Sequence, residues 1–155
     1  MKFNNLTILM LAATAALFSC NKPADEPVLA PKADYKGNVT VEATSGTFDN
    51  EDIRVNYEAS EDGTTATLTI YQIRFVPQMP VTIDVTIPNI SIRQENGETI
   101  LQCEEVIPLA MGGEYPRYTV TNLQGKRTAD NLSFSLNFGS TPTSFSGVLT
   151  VFTED

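Results

Sequence analysis

The sequence predicts an all-β domain, an antiparallel up-and-down barrel of about eight strands, carried behind a short apolar N-terminal segment and a polar tether. Three observations predict it. From Tyr35 to the end of the chain, apolar and polar residues alternate with period two, the pattern of half-buried strands. Between the alternating runs fall short groups rich in glycine, asparagine and proline, which tolerate tight or left-handed backbone. No run carries the 3.6-residue period of an amphipathic helix.

Residues 1–19 precede this pattern. Lys2 is the only charge before Lys22, and Leu6 to Phe18 is apolar. At about 1.5 Å per residue that stretch spans roughly 20 Å, short of the ~30 Å hydrocarbon core of a bilayer. A positive start, a short apolar middle and a small residue before a break are the parts of a secretory signal peptide. The break falls at Ser19-Cys20. Leu17-Phe18-Ser19-Cys20 resembles a bacterial lipobox, in which the cysteine thiol is acylated and the chain is cut before it. The expectation is a lipoprotein signal peptide over 1–19, cleaved between Ser19 and Cys20, with Cys20 as the lipidated N-terminus. Two or three acyl chains, at about 0.8 kcal/mol per buried CH2, make a durable anchor where one is marginal. Residues 20–34, the cysteine and the proline-rich "NKPADEPVLAPKAD", read as a flexible linker.

The strands follow in residues 35–155. "NVTVEA" alternates Val39, Val41 and Ala43; "IRVNYEA" alternates Ile53, Val55, Tyr57 and Ala59; "TLTI" gives Leu68 and Ile70. "VTIDVTI" gives Val81, Ile83, Val85 and Ile87, after which the apolar phase flips to Ile90 and Ile92, the signature of a β-bulge or of a strand changing faces. "LSFSLNF" gives Leu132, Phe134, Leu136 and Phe138, and "FSGVLTV" gives Phe145, Gly147, Leu149 and Val151. Turns are expected at 61–63, 95–97, 111–113, 124–126 and 139–143, with Asn96-Gly97 the strongest hairpin signal. Short strands at regular spacing mean a sandwich or a barrel. Closure removes exposed edges, which favours the barrel in a chain with one cysteine left after Cys20. A transmembrane barrel is disfavoured, because the second face is Thr, Ser, Asn and Asp rather than an apolar band. The inward set is bulky, so the interior is expected to be filled, with any binding at one open end.

"YKGNVTV", "MPVTIDVTIPNI", "GGEYPRYTVTNLQGK" and "LSFSLNFGS…FSGVLTVF" together resemble the calycin-like (lipocalin-like) β-barrel lipoproteins of Gram-negative gut anaerobes. The resemblance runs from Tyr35 to Phe152 and consists of architectural motifs. It implies a small barrel on a lipid tether and supplies no catalytic residue or ligand. The Gly-x-Trp signature of true lipocalins is missing, since the chain has no tryptophan.

Composition narrows the chemistry. There is no histidine, which excludes Ser-His-Asp and Cys-His centres and His-based zinc sites. The net charge of −9 makes nucleic acid a poor partner, since binding it needs clustered Lys and Arg. Cys103 reads as a small apolar strand residue. Glu104 and Glu105 are adjacent in a strand and would point to opposite faces, a poor acid/base pair. "FDNED" at 48–52 reads as a solvated acidic turn without the spacing of a calcium loop. Tyr71, Phe75, Tyr115 and Tyr118, near the expected barrel ends, are the candidate ligand rim. No catalytic residue, metal site or cofactor is expected. The expected function is non-enzymatic: an outer-membrane lipoprotein, facing the periplasm or the cell surface, whose barrel is a structural or interaction module with an envelope protein as partner. A barrel that binds a small apolar ligand, lipid or glycan, is the alternative, and a carboxylate-based hydrolase is the least excluded enzyme.

Overall fold

The computed structural model describes residues 29–153. Residues 1–28, including the expected cleavage site and Cys20, lie outside the described residues. Eight long strands run β1 (Lys32–Ala43), β2 (Gly46–Ala59), β3 (Thr65–Ile73), β4 (Ile83–Glu95), β5 (Glu98–Val106), β8 (Val120–Arg127), β9 (Asn131–Phe138) and β10 (Thr141–Thr150). Two two-residue strands, β6 (Leu109–Ala110) and β7 (Gly113–Glu114), and a 3-10 turn at Pro116–Tyr118 lie between β5 and β8. Every long strand pairs antiparallel with its neighbours in the chain, and β10 pairs with β1 from Asp34↔Thr150 to Val41↔Thr143. The result is a closed eight-stranded up-and-down barrel. Strand β1 takes in residues 32–34, the last three of the stretch that composition marks as tether.

Turn chemistry places the hairpins. Asn96 and Gly97 both have positive φ, 51° and 78°, and join Glu95 to its partner Glu98, as a two-residue hairpin between right-twisted strands requires. Met111 and Gly112 do the same between β6 and β7. Four bulges bend the strands. Each puts a non-glycine residue at positive φ: Asp52 in β2, Gln72 in β3, Asn89 in β4 and Asn122 in β8. At each, two residues on the bulged strand stand opposite one on the partner, as Pro88 and Asn89 do opposite Thr67 between the pairs Ala66↔Ile90 and Leu68↔Ile87. The phase flip after Pro88 is therefore a bulge, and Pro88 sits where a missing N–H is tolerated. Such bulges raise local twist and coiling, which a small barrel needs in order to close.

The core is one cluster that runs the length of the barrel. It includes Tyr35, Val39, Val55, Tyr57, Leu68, Ile70, Ile87, Leu101, Leu123, Leu132, Phe134 and Phe138. Open depressions lie on the outer wall and at the ends, and their lining is mostly outward-facing and turn residues, with core residues such as Phe134, Leu136 and Phe145 contributing only to the outer-wall ones. Side chains fill the middle.

Four local expectations are corrected. Leu149 and Val151 are 46% and 86% exposed: past Gly147 the inward phase passes beyond the last core layer, and Val151 follows the end of β10. Residues 124–126 are not a turn but the middle of β8. Gly125 stands opposite Phe134, where an added Cβ would lie 2.7 Å from the Phe134 Cβ, so the glycine serves close packing. Residues 48–52 are not a loop but part of bulged β2. There the Thr40 hydroxyl donates to Asp49 at 2.6 Å, and Asn50 bonds both the Arg74 N–H and its carbonyl, at 2.9 and 3.0 Å. Val81 is exposed ahead of β4.

The backbones approach closely at the β1–β10 seam. Gly37 faces Gly147 across it. A Cβ on Gly147 would collide with the Phe145 ring and lie 2.8 Å from the Lys36 carbonyl oxygen. Overpacking of this kind costs about 1–3 kcal/mol. Gly147→Ala should lose stability in that range by urea denaturation. Gly113→Ala, where a Cβ meets nothing within 4 Å, should be neutral or gain up to about 1 kcal/mol by restricting the unfolded chain. Equal effects at the two sites would refute the tight seam.

Candidate functional site at the barrel ends

One end gathers the β1–β2 and β9–β10 turns with segments 74–82 and 107–119. Here β4 parts from its neighbour. Its second half, Ser91–Glu95, pairs with β5, whereas Val85 and Thr86 pair with Ala110 and Leu109 of β6. The β6–β7 hairpin thus fills the gap where β5 turns toward β8. Beyond it, Pro116 starts the 3-10 turn. The Tyr118 N–H donates to the Tyr115 carbonyl at 3.1 Å, and the Thr119 hydroxyl to the Pro116 carbonyl at 2.7 Å.

This geometry brings three of the four candidate rim residues together. Tyr118 stacks on Phe75, with centroids 4.2 Å apart, and on Tyr115 at 5.2 Å. Phe75 also meets the edge of Phe138 at 5.0 Å. Phe75 is only 3% exposed, so it belongs to the core, and the rings close this end by packing on one another. Tyr71 is elsewhere. It lies on the outer wall of β3 with the Arg54 guanidinium 4.9 Å from its ring, and Arg54 also covers Phe152 at 4.7 Å and bonds Asp34 at 3.0 and 3.3 Å.

The opposite end gathers the β2–β3, β4–β5 and β8–β9 turns and the incoming chain at 29–31. It holds an open recess of about 600 Å³, lined among others by Leu29, Pro31, Tyr57, Ala59, Ile92 and Arg127. At its floor lies Arg127, 4% exposed. The Arg127 Nε–H donates to the Tyr35 hydroxyl at 2.7 Å, and Nη2 donates to the Ala30 carbonyl at 2.6 Å. The guanidinium sits 4.1 Å from the Tyr57 ring centroid. Burial pushes the Tyr57 phenol pKa up, against the opposing pull of the Arg127 cation. At the rim, the Ser60 hydroxyl, the Thr64 N–H and the Thr64 hydroxyl all donate to Asp62 and hold its carboxyl down at about 2, which fixes the β2–β3 turn.

Sequence reasoning did not single out Arg127 or Tyr57 as a site. The signal was there: Arg127 continues the inward phase of Leu123 and Gly125 in β8, a cation where an apolar side chain is expected. Among the described residues no group of three or more His, Cys, Asp or Glu side chains is placed to hold a metal ion. Glu104 and Glu105 are both exposed on β5. The closed eight-stranded antiparallel barrel is consistent with a calycin-like fold. No family model matches the chain, no curated protein matches its sequence and no solved structure matches its fold.

Cys103 is half-buried against the core. Burial, and secondarily the Glu104 charge, pushes its thiol pKa up. The thiolate is the reactive form, so at neutral pH the folded protein should react with iodoacetamide severalfold more slowly than the urea-unfolded chain. The measurement uses a Cys20→Ala protein, so that one thiol is read. Equal or faster reaction in the folded state would show an activated cysteine.

Proposed function

We propose that this protein is a lipid-anchored lipoprotein of a Gram-negative outer membrane, whose barrel is a non-enzymatic interaction module of the cell envelope. The observation that carries the reading is the filled interior: a continuous core from Tyr35 to Phe138 occupies the space in which a carrier barrel would hold an apolar ligand. Recognition then falls to the outer wall and the two ends. Support for the anchor comes from Leu17-Phe18-Ser19-Cys20 and the proline-rich stretch behind it. The acidic net charge repels anionic headgroups, so attachment rests on the acyl chains. Against catalysis stands the lack of histidine.

Two measurements in a Gram-negative host test this. A Cys20→Ala protein should lose metabolic acyl labelling and leave the membrane fraction; a mutant that stays in the membrane, with an unlabelled wild type, refutes the anchor. Crosslinking in whole cells followed by purification should capture a stoichiometric envelope protein. Native mass spectrometry that instead finds an apolar molecule held inside the barrel would favour the carrier reading.

A further inference from the structure

Arg127 poses an electrostatic problem. A guanidinium at 4% exposure has lost most of its hydration, which costs several kcal/mol unless an opposite charge replaces it. Two of its bonded acceptors, a phenol and a carbonyl, are neutral. Among the described residues, the carboxylate ion pairs go to Lys36, Arg54, Arg93 and Lys126, and none to Arg127. Arginine carries five N–H donors; Nε and Nη2 reach the Tyr35 hydroxyl and the Ala30 carbonyl, the guanidinium also bonds the neutral Tyr57 phenol, and none of these partners carries a negative charge. The side chain forms part of a recess whose size suits a small-molecule site. Leu29, Pro31, Ala59, Ile92 and the Tyr57 ring supply apolar wall above it.

We propose that the recess at the tether end binds a small amphiphilic carboxylate, its headgroup on Arg127 and its hydrocarbon body along the Leu29–Pro31, Ala59 and Ile92 wall. Arginine is suited to a carboxylate because its N–H groups can donate to both oxygens. The rim sets an upper limit on ligand charge. Glu61 and Glu95 both line the recess, Glu95 within 3.4 Å of Arg93 and Glu61 with no such pair, so a second negative charge on the ligand meets repulsion. The site is separate from the barrel core and does not rest on the envelope role proposed above. It also differs from the aromatic end, where the stacked rings occupy one another.

The test uses the full chain and decanoate, followed by calorimetry and by amide chemical shifts. Decanoate should bind, and the shifts should centre on Tyr57, Ala59, Ile92 and Arg127. Decanol, with the same body and no charge, should bind at least tenfold more weakly. Decyl phosphate, which can carry a second charge, should also bind more weakly than decanoate. Arg127→Gln should abolish binding while a cooperative melt shows that it folds. Should that variant fail to fold, Glu61→Lys decides, because it changes only an exposed rim charge and should tighten decanoate severalfold. The proposal is overturned by any of three results: no decanoate binding at millimolar concentration, decanol binding as tightly as decanoate, or no tightening in Glu61→Lys. It falls equally if decanoate binds only after Asp25 and Glu26 are made neutral, since the tether's own carboxylates would then be the occupant.

Discussion

Everything in this barrel depends on one seam, where the last strand hydrogen-bonds to the first. Residues 20–155 contain a single cysteine besides Cys20, so no disulfide within the domain can hold the wall. A β-sheet left open exposes unpaired N–H and C=O groups at both edges. Pairing of β10 with β1 removes those edges and encloses the core. The glycines at Gly37 and Gly147 let the two backbones approach, and the Phe145 ring lies where a Cβ would otherwise stand. Closure and core filling are thus one event: the strands that meet at the seam also carry Tyr35, Val39, Val41 and Phe145 inward.

The same closure explains the contrast between the two ends. Bulges at Asp52, Gln72, Asn89 and Asn122 coil the strands, and the wall parts between β4 and β5 at the aromatic end. The β6–β7 hairpin and the Phe75, Tyr115 and Tyr118 rings then seal that opening with apolar contact. The other end has no such insertion. It is crossed by the incoming chain, tied down where the Ala59 N–H donates to the Pro31 carbonyl at 2.7 Å and Arg127 donates to Ala30. One end is closed by side chains packed on each other, the other by a cation under an open recess, and among the described residues that cation has no carboxylate partner.

Much of this was legible in the residues. Period-two alternation located six of the eight long strands, β1 to β4, β9 and β10, and Asn96-Gly97 and Met111-Gly112 marked two of the hairpins. The phase change at Ile90 showed that β4 breaks its register, and Asn89 is a residue that tolerates the left-handed backbone a bulge requires. Other features were hidden because local pattern does not report long-range pairing. Gly125 reads as a turn residue until Phe134 is seen opposite it. Residues 48–52 read as a loop because their acidity masks the strand; only Asp49 with Thr40 and Asn50 with Arg74 reveal the sheet around them. Tyr71 was placed at the rim for its nearness to a loop, although its phase against Leu68 and Ile70 already turns it outward. Arg127 was overlooked because a cation near a strand end is ordinarily a solvated one. Its burial follows from Tyr35 and Ala30, which lie 92 and 97 positions away in the chain.

Native-state amide hydrogen exchange tests the central claim most directly. In a barrel closed by this seam, the β1 and β10 amides that hydrogen-bond across it exchange only through global unfolding, with the same dependence on denaturant as those of the β8–β9 pair. If the seam amides instead exchange at a distinctly lower free energy, as fraying edge strands would, β1 and β10 are not held together as the account requires and the barrel is an open sheet in solution.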